Sequence, residues 1–179
     1  MFKLDGQVAI ITGGAQGIGV GICKVFTDAG ATVALWDVAD GQAVADEITS
    51  NGGNIFYQKV DVTSKESVAA AVTEIMDKHQ RIDILINNAG IIRDKSFMKM
   101  TEDQWDAVMN VNVKSLYVTS KAVLPHMIEA GYGRIVSASS INAMCFVRGN
   151  PLDFDLWAKS TGFADWAYEK CLPYFKKLE

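Results

Sequence analysis

Three cysteines, three prolines and two histidines in 179 residues leave little material for several kinds of chemistry. Cys23, Cys145 and Cys171 are an odd number without CxxC spacing, so neither a disulfide framework nor a zinc site is expected, and no metal ligand set is assigned. Reduced thiols in a cytoplasmic protein are the simple reading. His79 follows Asp77 and Lys78 and is expected to be solvated, while His126 follows Pro125 and reads as a surface or packed residue. Neither reads as a general base. There is no Lys/Arg-rich run, and the net charge is −4, which argues against nucleic acid or an anionic membrane as partner. No apolar run reaches the ~18 residues of a membrane span, and the opening Met1 to Gly6 has no signal-type apolar core. A soluble, untargeted protein acting on small molecules is expected.

With 49% hydrophobic and 21% charged residues, the chain reads as one globular domain or slightly more. Short apolar strands are expected at 7–12, 32–36, 54–60, 82–86 and 134–137. Between them lie amphipathic helices: 17–29 closed by Gly30, 42–49 closed by Asn51-Gly52-Gly53, and one capped by Thr63-Ser64 that runs to His79. A long helical stretch, straight or bent, starts at Thr101 and ends at Ala130. Apolar strands alternating with helices give a parallel sheet, because each parallel pair needs a crossover. The fold class is α/β, a doubly wound Rossmann-like parallel sheet of about five strands.

Thr12-Gly13-Gly14-Ala15-Gln16-Gly17-Ile18-Gly19 stands between a strand and a helix, the context in which a glycine pattern reads as a phosphate site. Gly13 permits a tight turn, Gly17 a close approach of backbone N–H groups to a pyrophosphate, and Gly19 close helix–strand packing. An ordinary glycine-rich turn is the alternative. Asp37 ends the second strand about twenty residues on, where its carboxylate can accept from both ribose hydroxyls and repel a 2′-phosphate. That favours NAD over NADP; a plain helix N-cap is the alternative for Asp37.

These residues, with Asp61-Val62, Asn87-Asn88-Ala89-Gly90, Asn112 within Asn110 to Val113, and Gly133 to Ser140, resemble the short-chain dehydrogenase/reductase family over residues 1 to about 140. The resemblance implies that Asp61 and Val62 border the adenine, that Asn88, Ala89 and Gly90 run along the adenosine side, and that Asn112 helps hold an active-site water. It also implies that Ser140 orients a substrate carbonyl and that the helix around 101–130 serves self-association. The wording from Ile91 to Val108 is most similar to ketoacyl and acetoacetyl reductases.

Hydride transfer between nicotinamide and a carbonyl or alcohol carbon needs a proton on the oxygen, and the family supplies it from Tyr-x-x-x-Lys shortly after the serine. Here Lys159 is preceded by Asp155 at that spacing, and no tyrosine stands between Ser140 and Lys159. An ionised aspartate is a poor acid for an alkoxide, so impaired catalysis is expected. Tyr117 and Lys121 have the spacing but precede the serine strand, and read as a chance pair.

From Ser139 onward the wording, including Asn142, Trp157, Trp166 and Leu172 to Lys177, resembles the glucose-methanol-choline family of flavin oxidoreductases. The flavin-binding motif and catalytic histidine of that family are not found, so FAD is not expected. Two readings stay open: a divergent reductase segment in which Lys159 is homologous, or a seam near 139–141 in which it is coincidental. The expected organisation is therefore an NAD-binding domain over 1–140 and an atypical helical tail over 141–179, with short helices near 153–159 and 166–177. The expected function is that of a short-chain oxidoreductase with doubtful activity; the alternatives are a non-catalytic dinucleotide-binding module and a chimeric, truncated fragment.

Overall fold

Alternation along each central strand decides how the sheet is covered. In the computed structural model, which describes residues 3–93 and 97–138, Val8 and Ile10 of β1 (Val8–Thr12) face one side while Ala9 and Ile11 face the other. The first side packs on Val68, Val72 and Ile75 of α3 (Lys65–His79) and on Val118, Val123 and Met127 of α5 (Ser115–Glu129). The second packs on Cys23 of α1 (Gly17–Asp28) and on Ala45 and Ile48 of α2 (Gln42–Ser50). Both faces are thus covered, as the near-continuous apolar strands require.

The remaining strands are β2 (Thr32–Asp37), β3 (Asn54–Lys59), β4 (Ile84–Asn87) and β5 (Arg134–Ser137). All pairings are parallel, in the order β3-β2-β1-β4-β5. The order runs one way from β1 to β3 and the other way through β4, so a switch point lies between β1 and β4. At such a point the two loops diverge and leave a crevice beyond the carboxyl ends of the strands.

The doubly wound α/β expectation agrees with this architecture, with differences at three places. The cap of α3 is Ser64, whose Oγ accepts from the Ser67 N–H at 3.2 Å; Thr63 instead donates to the Asp61 carboxylate. The stretch from 101 to 130 is one helical run with a change of pitch inside it rather than a uniform α-helix. Thr101 and Gln104 form a capping box that starts α4 (Glu102–Met109), a π-type turn occupies Asn110–Lys114, and α5 continues to Glu129. His79 is not solvated freely: its ring stacks on Phe56 at 5.3 Å between centroids. Cys23 is fully buried, and burial pushes its thiol up to about 12, so it stays a neutral packing group. Ser140, Asp155, Lys159, Cys145, Cys171 and the expected tail helices lie outside the described residues. Among the described residues, no helix is long and apolar enough to cross a membrane, and no cluster of His, Cys, Asp and Glu could hold a metal ion.

Candidate functional site

The switch-point crevice is a cavity of about 600 Å³, inside the range of roughly 300–1,000 Å³ usual for small-molecule sites. Its wall begins with the turn after β1. Gly13 has φ +66°, and a Cβ there would lie 2.9 Å from the Ala89 Cα, so the ends of β1 and β4 approach closely only because the side chain is missing. A Cβ at Gly19 would run into the carbonyl oxygen of Gly13, which lets α1 start directly against the turn. Gln16, the residue before α1, makes no side-chain cap, so no side chain takes up the first-turn N–H groups. With the positive end of the helix dipole, they form a place where phosphate oxygens can be received.

Asp37 stands at the end of β2 on the cavity wall. Its Oδ2 accepts from the Ala15 N–H of the glycine turn and its Oδ1 from the Ala39 N–H, both at 3.0 Å. It is not the N-cap of α2, which is Gly41. A carboxylate offers about four lone-pair positions, so two backbone bonds leave room for ribose hydroxyls. Asp61 lies on the wall after β3, and its Oδ1 accepts from both the Thr63 N–H at 2.9 Å and the Thr63 hydroxyl at 2.7 Å. Among the described lining residues the two carboxylates are the only charged side chains, and no described Lys, Arg or His accompanies them.

Asn88 and Thr12 hold the β1 and β4 loops together. The Asn88 Nδ2 donates to the carbonyls of Thr12 and Gly13 at 3.1 Å, while the Thr12 Oγ1 accepts from the Asn88 and Ala89 N–H groups and donates to the Ile86 carbonyl. Behind them the buried Asn87 Oδ1 accepts from the Thr119 hydroxyl at 2.7 Å, tying β4 to α5. Asn112 sits inside the π-type turn. Its Nδ2 donates to the Ile91 carbonyl at 3.0 Å and its Oδ1 accepts from the Ile91 N–H at 2.8 Å, so it fixes the chain just past Gly90 at both backbone groups.

Of the residues singled out by sequence, Gly13, Gln16, Gly17 and Ile18 line the cavity from the first turn. Asp37, Asp61 and Val62 line it from the second and third strands, and Asn88, Ala89 and Gly90 from the fourth. Thr12 and Gly19 lie behind the wall, and Asn112 stands beside it through Ile91. Val38, Val60 and Ile92 also line it. Val38 and Val60 adjoin Asp37 and Asp61, and Ile92 lies two positions past Gly90, so closeness in sequence is the signal that could have found them. The Tyr117–Lys121 pair does form, with Lys121 Nζ donating to the Tyr117 Oη at 2.8 Å, and the ammonium holds the phenol below its usual value. The pair lines a separate cavity with Lys65, Val118 and Ala122, none of which borders the crevice.

A five-stranded parallel sheet, a glycine turn opening a helix and a crevice at the switch point define a Rossmann-like doubly wound protein. The short chain dehydrogenase family model matches residues 7–151, and the chain belongs to that family. It is 45% identical over 142 residues to the 3-oxoacyl-[acyl-carrier-protein] reductase FabG of Chlamydia pneumoniae, covering 78% of this chain and 57% of that protein. It is 44% identical over 142 residues to the oxidoreductase UcpA of Salmonella typhimurium, covering 79% of this chain and 54% of that one. A crystal structure of a short-chain dehydrogenase/reductase from Burkholderia xenovorans superposes with a TM-score of 0.74 at 31% identity, over 78% of this chain and 58% of the other. The chain therefore spans little more than half the length of these relatives.

Proposed function

We propose that this chain binds a nicotinamide dinucleotide, NAD in preference to NADP, in the switch-point crevice, and that it is a short-chain oxidoreductase with impaired hydride transfer. The observation behind the cofactor reading is the Asp37 carboxylate, held on the cavity wall by two backbone N–H groups where its charge would repel a 2′-phosphate. The open N–H groups at the start of α1 suit the pyrophosphate, and Asp61 and Val62 the adenine. Once bound, the nicotinamide ring supplies or accepts the hydride. The chain's own part is to orient a carbonyl or alcohol, a role assigned to Ser140, to hold an active-site water, a role assigned to Asn112, and to move a proton. No tyrosine between Ser140 and Lys159 can do the latter.

Titration of the folded protein with NADH by calorimetry tests the cofactor reading. Saturable binding that NADPH matches only at higher concentration is expected; a flat NADH titration would remove the reading. The missing phenol favours a second reading, a dinucleotide-binding module without turnover, and the names of the reductase relatives favour a carbonyl substrate if chemistry survives. Self-association is assigned to the 101–130 segment, where Val113, Tyr117, Leu124 and Ile128 form an exposed stripe on one helix face. Sedimentation should give a dimer or larger species, reduced to monomer by Ile128→Glu.

A further inference from the structure

Asp37 can discriminate between cofactors only if its carboxylate is aimed at the ribose, and the loop that follows it, Val38 to Gly41, is what aims it. That loop has few anchors outside itself: Val38 is 59% exposed, Gly41 before α2 gives no side-chain cap, and the Gln42 N–H is taken from within the loop by Asp40 Oδ1 at 2.9 Å. Its anchor comes from the neighbouring strand. Tyr57 of β3 stands beside Leu35 in the parallel register, and its hydroxyl donates to the Ala39 carbonyl at 2.9 Å. The same peptide-bearing residue, Ala39, donates its N–H to Asp37 Oδ1. The ring also abuts the loop's far end, where a Cβ on Gly41 would lie 2.9 Å from Tyr57 Cδ2. Burial, and then the carboxylates of Asp40 and Asp37, raise the Tyr57 phenol, so it remains a protonated donor through the neutral range.

We infer that Tyr57 is a positioning residue for cofactor selection: through Ala39 it holds Asp37 in the orientation that receives the two ribose hydroxyls and turns charge toward a 2′-phosphate. The inference rests on the dinucleotide reading above. Sequence patterns of the site do not reach Tyr57, because it touches no expected ligand and is twenty positions from Asp37 in the chain. It acts one hydrogen bond removed from the carboxylate.

The test measures NADH and NADPH dissociation constants on the full chain for the wild type, Tyr57→Phe, Asp37→Ala and the double variant. Phenylalanine keeps the ring against Gly41 and removes only the hydroxyl. Tyr57→Phe should weaken NADH about three- to tenfold, the usual consequence of losing one hydrogen bond, and leave NADPH unchanged or tighter. In the Asp37→Ala background the same change should do nothing further to NADH, because the group it positions is gone. Equal weakening of both nucleotides, no weakening, or an undiminished effect in the Asp37→Ala background would overturn the inference and leave Tyr57 a packing residue. Failure of the folded wild type to bind NADH would overturn the dinucleotide reading itself, and this inference with it, before any variant is compared.

Discussion

β4 and β5 are neighbours in one sheet and differ in almost every respect that matters to a site. All four residues of β4 are buried, as are all five of β1, whereas all four of β5 are exposed. The crevice hangs from the other strands: its wall is made by the turns after β1, β2, β3 and β4, of which only the edge strand β3 carries exposed residues. The chemistry expected of the family hangs from the exposed one, since Ser140 follows β5 and Lys159 lies further on. Groups held on packed strands keep a fixed geometry, which favours selective binding; proton transfer demands the same of residues beyond β5. The comparison thus separates nucleotide binding from nucleotide chemistry, and each can be tested without the other.

The largest expected effect is on turnover. NADH oxidation by acetoacetyl thioesters or simple ketones should be undetectable, because the general acid normally contributes about 10²- to 10⁴-fold. Turnover by the wild-type chain that Ser140→Ala abolishes would break the comparison. Asp155→Tyr sharpens it: a gain of activity places Lys159 at the reductase position, and no gain supports a seam near 139–141.

Next in size is the glycine turn. Gly19→Val drives two branches into the Gly13 carbonyl and the Gly14 Cα, all of it backbone that cannot step aside. Saturable NADH binding should be lost, with a destabilisation of about 1–3 kcal/mol from overpacking. Retained binding would mean that α1 does not meet the phosphates. Smaller again is Asp37→Ala, which removes charge-assisted acceptors from the wall. NADH affinity should fall about tenfold or more while NADPH gains relative to it. An unchanged ratio of the two affinities would leave Asp37 only its bonds to the Ala15 and Ala39 N–H groups, a loop-tying role.

Much of the crevice was legible in the sequence because its signals are local. Strand, glycine turn and helix follow one another within Val8 to Asp28, and Asp37 ends its strand where the pattern puts it. What escaped notice depends on partners far apart in the chain. The grip of Thr12 on Asn88 and Ala89 spans 76 and 77 positions, and no local pattern announces it. The π-type turn at Asn110–Lys114 reads in sequence as no more than a bend, since no residue type marks a switch from α to π hydrogen bonding within a continuous helical run. Thr63 and Ser64 are chemically equivalent caps by sequence; the Asp61 carboxylate decides between them by engaging Thr63. Trp36, next to Asp37, is fully buried and donates its indole N–H to Gln58 at 2.8 Å, a bond across 22 positions that no local pattern shows.

The smallest effect on binding is expected where the two halves are tied together. Thr119 of α5 is 1% exposed and gives its hydroxyl to Asn87 Oδ1, and Asn87 is both the last residue of β4 and the Cα partner of Ser137 in β5. Thr119→Val keeps the shape but leaves that buried carbonyl oxygen without its donor, at a cost of about 1–3 kcal/mol. The midpoint of thermal unfolding should drop by roughly 2–4 °C for each kcal/mol lost. NADH affinity should stay within about twofold of wild type, because Asn88, Thr12 and the glycine turn hold the crevice through bonds that do not involve Thr119. A parallel loss of affinity would show instead that the crevice depends on α5, and that the buried and exposed sides of the sheet are one cooperative unit.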